Sequence, residues 1–405
     1  MRSNFLTFGI VSTLFFAATA TIWDSHPPLG GKPAKTPAVH GQMSTDPVSL
    51  PFEQTADPAR GAGRVVVRSL HAHMAPRFSL VGVAWSDPSA ELGGQVRVRT
   101  RATGTHHWSR WQNLGEGHGP GWDPGAAEPR ARGATSPLWV GDCDGIEAEL
   151  IALAEAGERA PSGLRVELVR PGPTAEAAGG ATRQVSLPSG LAAGRPRIVS
   201  RREWGADESL RGPGFTYTSS VKAVITHHSA TGNGYSCADA PAVLDSVYRY
   251  HVRTMGWRDI GYNFAIDKCG TIYEGRAGGV DRPVLGAHTM GFNASTMGVV
   301  LLGDYDQAEP STAALDAIAA LAVWKLSLHG VDPNGTAELV SGSGSTHPAG
   351  ARVSTPVISS HRDEVATECP GEKLYAKLDA IRSRAAYLQM AKGQRDVNRV
   401  TAQRG

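Results

Sequence analysis

The second half of this chain predicts an α/β fold with a central mixed β-sheet flanked by helices. The first half predicts a small all-β, sandwich-like domain ahead of it. Three observations lead there. From 64 to 170 the periodic stretches are short strands bounded by turn residues. After residue 196, apolar strands alternate with segments whose apolar residues recur every three or four positions. Between the halves, residues 171–196 are rich in Gly, Ala and Pro, as a linker is.

Taken in order, Arg2 precedes an apolar run over 5–18 that ends in the small residues Ala18-Thr19-Ala20. Residues 1–20 therefore read as a signal peptide, with an uncleaved anchor as the alternative. The run is short for a transmembrane helix, so no stable membrane span is expected in the mature chain, which is expected to be secreted. Residues 21–63, dominated by Pro, Gly, Ser and Thr, read as a flexible linker. The β-rich domain, 64–170, contains strand signals at 78–85, 95–100, 138–140, 146–150 and 164–169. In the second of these, valine alternates with basic or polar residues, as in a strand with one wet face. Trp108 and Trp111 suit either packing or stacking on sugar rings. His106 and His107 have no metal-like companions nearby.

The domain at 197–393 opens towards a buried strand at 221–227. Pro241 then begins a helix capped by Asp239, with Val243, Leu244, Val247, Tyr248 and His251 at helical spacing. Residues 262–266 and 271–274 read as a hairpin around Asp267-Lys268-Cys269-Gly270, and 297–302 as a central strand. A helix from Ser311 as cap to Gly330 as stop carries Leu315, Ile318, Leu321, Ala322 and Trp324. Residues 331–357 read as extended and turn-rich. The last helix uses Leu374, Leu378, Ile381 and Ala385 and ends near Gly393, leaving a tail at 394–405.

With 40 basic against 38 acidic residues, the net charge of +2 gives no reason to expect a nucleic-acid partner. A monomer is expected. In an exported chain the four cysteines are informative. Cys237 opens a predicted helix and Cys269 sits in the hairpin turn, so they form the expected disulfide. Closing that loop is worth roughly 3–4 kcal/mol. Cys143 reads as a small buried hydrophobe.

Cys369 has a different use. It follows His361 by eight positions, too far for one helix face but within reach of a loop that folds back. Imidazole nitrogen and thiolate sulfur are preferred donors for zinc, and the paired histidines after the apolar run at 221–227 offer a third, His227. Two neutral imidazoles and one thiolate leave Zn2+ with a charge of +1 and an open fourth position. That marks a catalytic rather than a structural site.

Six segments in order then carry a resemblance: Ser200-Arg201-Arg202-Glu203-Trp204-Gly205-Ala206, the stretch 225–231, Gly256-Trp257-Arg258-Asp259-Ile260-Gly261-Tyr262-Asn263-Phe264, Tyr273-Glu274-Gly275-Arg276, Gly286-Ala287-His288-Thr289-Met290-Gly291-Phe292-Asn293, and 361–371. Residues 197–393 resemble the peptidoglycan recognition proteins and the related zinc-dependent N-acetylmuramoyl-L-alanine amidases. The preceding β-rich region is similar to domains found ahead of such amidases in exported bacterial proteins.

The resemblance implies zinc ligation by His227, His361 and Cys369. It implies a tyrosine, Tyr262, beside the reacting water, and Thr367 where some relatives carry lysine. It places His228, His251, His288 and Asn293 in a peptide groove, although His251 also reads as a core histidine on its helix. Trp257 (with Gly256) and Arg276 imply preference for stem peptides carrying meso-diaminopimelate. An arginine can meet that extra carboxylate with two parallel hydrogen bonds. Arg276 paired to Glu274 or an aspartate is the plainer alternative. Arg201-Arg202 read as a salt-bridged surface, and His40, His329 and His347 as solvated. Two functions follow: an exported, wall-associated zinc amidase, or a module that binds peptidoglycan without cutting it.

Overall fold

The computed structural model describes residues 46–54, 64–115, 131–153, 160–173 and 194–402, all within one compact unit. The expected signal peptide, His40 and most of both expected linkers lie outside the described residues.

The first half is all-β. Its strands are β1 (Val48–Pro51), β2 (Glu53–Gln54), β3 (Arg64–Trp85), β4 (Gln95–Ala102), β5 (Gln112–Asn113), β6 (Gly133–Ala134), β7 (Leu138–Leu153) and β8 (Arg165–Val169). They pair antiparallel in the order β1-β8-β3-β7-β4-β5, with β2 and β6 added to β3.

Two expectations change here. The stretch 21–63, expected as a linker, contains β1 and β2, because Val48, Leu50 and Phe52 alternate onto the core and β1 ladders onto β8. Strands β3 and β7 are also longer than the expected runs, since each joins shorter pieces across irregularities, among them Leu70/His73 and Met74/Phe78. Bulges bend strands. The bending lets side chains from β3, β4, β7 and β8, including Phe78, Ile146, Leu150 and Val166, meet in one core. Cys143 is buried within it. On the other side, Arg97, Arg99 and Arg101 pair with Glu149, Glu147 and Asp144. Trp108 and Trp111 stack over those guanidinium groups, so both indoles serve packing there.

The second half is mixed α/β. Its strands are β9 (Ile198–Val199), β10 (Ala223–His228), β11 (Phe264–Ile266), β12 (Ile272–Glu274), β13 (Thr296–Leu301), β14 (Thr336–Val340), β15 (Arg352–Pro356) and β16 (Ile358–Ser360). Its helices are α1 (Arg201–Trp204), α2 (Ala240–Arg249), α3 (Thr312–Ser327), α4 (His361–Glu364), α5 (Glu372–Tyr375) and α6 (Leu378–Ala402). Six strands form the central sheet in the order β16-β10-β13-β11-β12-β9. Strand β10 runs parallel to both its neighbours, while β11 and β12 form the expected hairpin. Val299 and Leu301 face α3 and α6, and Val300 and Leu302 face α2. A strand buried on both faces is apolar throughout, which is why 297–302 reads as one unbroken run.

Helix α3 begins where expected, with Ser311 Oγ accepting from the Ala314 amide at 3.1 Å. The Cys237–Cys269 disulfide forms, tying the entry to α2 to the hairpin turn. The helix carrying His251 differs from expectation: after α2 the chain widens into a π-helical turn at Tyr250–Thr254. The last helix differs too. It breaks between α5 and α6, where the Lys377 amide bonds to Leu374 O and tightens the turn. It then runs past Gly393, since one exposed glycine costs a helix only about 1 kcal/mol. Among the described residues no helix is long and apolar enough to cross a membrane.

Strand β3 belongs to both halves. Val81, Val83 and Trp85 point into the all-β core, while Leu80 and Ala84 pack with α2 residues Val243, Leu244 and Val247. Between them Gly82 lies under Tyr250, whose hydroxyl donates to Thr135 O at 3.0 Å. Three further bonds cross this boundary: Arg132 N to Met255 O, Trp139 N to Thr231 O, and Gly172 N to Asp245 Oδ2. The stretch 171–196, expected as a linker, thus starts as docked chain, because the buried Asp245 carboxylate takes the Gly172 amide. A Cβ added to Gly82 would lie 2.3 Å from the Tyr250 hydroxyl. Gly82→Ala should therefore destabilise the protein by about 1–3 kcal/mol, the usual cost of overpacking, measured by urea unfolding. An unchanged midpoint would show that this contact yields freely.

Candidate metal centre

Thr226 of β10 lies opposite Ser360 of β16 in a parallel ladder. His227 and His361 therefore leave the sheet side by side, with ring centroids 4.5 Å apart. They do so at the carboxyl ends of parallel strands, where open α/β sheets place their ligands. Asp363 Oδ2 accepts from the Ser360 amide at 2.8 Å and from its hydroxyl at 2.9 Å, which fixes the start of α4 and with it His361.

The following loop folds back. Arg362 donates to Glu368 O at 2.5 Å, and the Cys369 amide donates to Thr367 Oγ1 at 3.2 Å. Cys369 Sγ then accepts from the His228 amide at 3.4 Å and stands 3.6 Å from His227 Nδ1. His227, His361 and Cys369 are all buried, with one donor atom from each within 4.8 Å of the others. Burial pushes the Cys369 thiol well above its usual range. Such a thiol loses its proton only where a positive charge held beside the sulfur stabilises the thiolate. Two imidazoles and one sulfur around a common point fit a four-coordinate divalent cation with one position left over.

The second nitrogen of His227 is also engaged. Its Nε2 lies 3.1 Å from His288 Nδ1 and 3.4 Å from Thr289 Oγ1. Burial, with Arg276 nearby, pushes His288 down to about 3, so its ring is neutral at ordinary pH. Such a partner fixes the ring orientation of a metal-binding histidine. His288, expected in the groove, thus stands chiefly behind His227, although its ring still lines a small cavity. Asn293, also expected in the groove, is buried, and its Oδ1 is taken by the amides of His288 and Thr289. It closes the loop that holds His288 and lines none of the cavities described here.

Tyr262 lies beside the trio, its ring 5.3 Å from that of His227, and burial pushes its phenol above the ordinary range. His251 packs between Trp257 (4.5 Å) and Tyr262 (5.7 Å), and its Nδ1 accepts from the Gly261 amide at 3.2 Å. Both readings of His251 therefore meet: it is buried, and it lines the cavity of about 30 Å³ shared with His227, Tyr262 and His361. Trp257 lines the same cavity.

His228 lines a larger cleft of about 790 Å³ on the other side, together with His361 and Thr367. Its Nδ1 accepts from the Tyr305 amide at 3.2 Å and lies 3.7 Å from Asp304 Oδ1. Arg276 donates to Ile260 O at 3.3 Å and lines a pocket of about 170 Å³ with Arg211 and Arg258.

Arg201 departs from the expected surface role. It is buried, pairing with Glu208 at 2.6 Å and Asp259 at 3.3 Å and donating to Gly275 O at 2.5 Å. Asp259 in turn takes the Ile260 and Ala277 amides, so this network fixes the loops that carry Tyr262 and Arg276. Arg202 is exposed as expected.

Two contributors escape sequence reasoning. Thr289 carries no signal beyond its place after His288. Residues 134–137 of the all-β half line the cavity over the trio, and no local pattern announces that.

Residues 217–372 match the family described as N-acetylmuramoyl-L-alanine amidase. Residues 33–173 match one described as Rv3811 N-terminal galactose-binding domain-like. Peptidoglycan-recognition protein 1 of Holotrichia diomphalia is 30% identical over 184 residues, which cover 45% of this chain and 79% of that protein. Peptidoglycan-recognition protein SC1a/b of Drosophila simulans is 32% identical over 185 residues, covering 45% and 83%. A solved structure of wild-type Drosophila PGRP-LB is 29% identical, with a TM-score of 0.36, and covers 45% of this chain and 92% of that one. With the two curated peptidoglycan-recognition proteins matched over most of their own length and an amidase family matched across the site, the chain belongs to the peptidoglycan recognition protein and N-acetylmuramoyl-L-alanine amidase family.

Proposed function

We propose that this protein is an exported, wall-associated zinc amidase that hydrolyses the amide between the lactyl group of muramic acid and L-alanine of the peptidoglycan stem. The observation that carries this is the convergence of His227, His361 and Cys369 with Tyr262 beside them. Binding without cleavage is the other reading, and family members of that kind lack one or more of the ligands. Here the full set and the tyrosine are present, which favours the enzyme.

Zinc, when bound, supplies Lewis acidity towards the scissile carbonyl and towards water. The remaining work falls to the chain. His227 and His361 would hold the metal as neutral rings and Cys369 as a thiolate, while His288 and Thr289 keep the His227 ring from turning. The Tyr262 phenol donates to the oxyanion that develops at the carbonyl, and His251, itself packed on Trp257, braces its ring so that little reorganisation is needed. Thr367 presents a neutral hydroxyl on the cleft side of the same centre, where a lysine would have added a charge. Arg276, in the pocket it shares with Arg211 and Arg258, receives the extra carboxylate of meso-diaminopimelate.

Three outcomes test this. Cys369→Ser should stay folded yet lose zinc by elemental analysis and lose turnover on muropeptides. A zinc-free variant with full activity would sink the assignment. Tyr262→Phe keeps the ring, so zinc content should hold while the rate falls by about 10²–10³-fold, as for loss of one oxyanion donor. A rate within twofold of the parent would assign the phenol to packing. Arg276→Ala should cost roughly 1.5–3 kcal/mol in kcat/KM on diaminopimelate muropeptides and little on matched lysine ones. Equal losses on both would remove Arg276 from recognition.

A further inference from the structure

The cleft of about 790 Å³ beside the metal centre is walled by both halves of the protein. Asn113, Gly115, Ser136 and Leu138 come from the all-β half, and His228, Asp304, Asp306, Thr346 and Thr367 from the α/β half. His361 lies on its floor and also lines the cavity of about 30 Å³ on the Tyr262 side. Ser136 is the other residue common to both spaces, so the 134–138 segment divides them directly over the trio.

The dividing segment is held firmly. The Ser136 amide donates to Gly115 O at 3.1 Å and the Thr135 amide to Val83 O at 2.9 Å. Tyr250 donates to Thr135 O, and the Trp139 amide donates to Thr231 O at 2.9 Å. A wall with these anchors is preorganised and needs little ordering when a ligand arrives.

The two spaces suit different chemistry. The smaller, at about 30 Å³, has room for a water or two. The larger falls within the roughly 300–1,000 Å³ of sites that bury small ligands. Its polar groups are the Asn113 amide, the Ser136, Ser345, Thr346 and Thr367 hydroxyls, the His228 and His361 rings and the Asp304, Asp306 and Glu368 carboxylates. Among the described residues no lysine or arginine lines it, in contrast to the arginine-lined pocket around Arg276. Amides, hydroxyls and carboxylates without cations match the hydroxyl and acetamido groups of an uncharged sugar, and not an anion.

We propose that this cleft is an amino-sugar subsite built jointly by the two halves, with Asn113 and Ser136 as its contacts from the all-β half. It rests on the peptidoglycan reading above and adds where the glycan lies. The sugar sits on the His228–Thr367 side of the metal centre, and the stem peptide leaves towards the Arg276 pocket.

The test is binding, measured by calorimetry on the full chain with two probes that contain no scissile bond. One is N,N′-diacetylchitobiose, an uncharged amino-sugar disaccharide with no lactyl carboxylate, and the other is the free stem peptide. The parent should bind both. Asn113→Trp, which fills the cleft from an exposed position, should weaken the disaccharide by about tenfold or more, the worth of one or two hydrogen bonds, and leave the stem peptide unchanged. Ser136→Ala, a smaller change at a buried position, should weaken the disaccharide in the same direction. Thermal midpoint and zinc content serve as fold controls. A parent that binds the peptide but not the disaccharide overturns the subsite and leaves the peptidoglycan reading standing. Variants with parental disaccharide affinity overturn it as well. A parent that binds neither probe overturns the peptidoglycan reading and the subsite with it.

Discussion

Thr226 stands opposite Ser360 in the ladder between β10 and β16, and that register sets the two histidines beyond them at one height. The period of a strand is two residues, so a slip of one would turn His227 or His361 to the other face of the sheet. What prevents the slip is packing rather than anything at the site. Val224, Ile225 and Ile358 are fully buried, and sliding either strand would force them out of the core beneath α3 and α6. The third donor depends on the same arrangement, since the Cys369 sulfur is held by the amide of His228, the residue after His227 on β10.

Around that register the site is built largely from neutral groups. His288 is neutral behind His227, and the Tyr262 phenol keeps its proton. Charge is pushed outward to the arginines around the 170 Å³ pocket and to Asp304 and Asp306 on the opposite side. His228, Asp304 and Asp306 also bring donor atoms within 4.8 Å of one another. There, however, His228 Nδ1 already accepts the Tyr305 amide. Burial, with Asp304 beside it, holds the Asp306 carboxyl above its usual range. The deep trio of two imidazoles and a thiol is the better cation site on donor chemistry alone.

Much of this was legible in the residues. The strands at 221–227 and 297–302, the hairpin around Cys269, the Ser311 cap and the Cys237–Cys269 pair follow from local chemistry, and the structure contains each of them. The trio was legible because cysteine is scarce, with four in the chain, and the donor chemistry of histidine and cysteine is narrow. What sequence did not carry has physical causes. Asn293 turns inward to hold a glycine-bounded loop, and sequence does not encode locally which backbone amides it accepts, while His288 on the same loop both backs His227 and lines the cavity. Arg201 looks like any surface arginine until Asp259, far along the chain, comes back to meet it. The π-helical turn after α2 leaves no trace in the apolar spacing before it, yet it sends Tyr250 to β3 and His251 to Trp257 from consecutive positions.

Strand β3 serves two cores at once, Val81 and Val83 one way and Leu80 and Ala84 the other. Its consequence is cooperativity. Neither half can lose its packing without baring one face of this strand inside the other, so the two halves are coupled through a shared element rather than through an exposed hinge. Drift in the sequence is constrained in the same way. A residue on β3 is answerable to the all-β core, to the helix over it, or, at Gly82, to a tyrosine hydroxyl that leaves no room for a side chain. An arrangement of this kind cannot exchange its all-β half for another as beads on a string can.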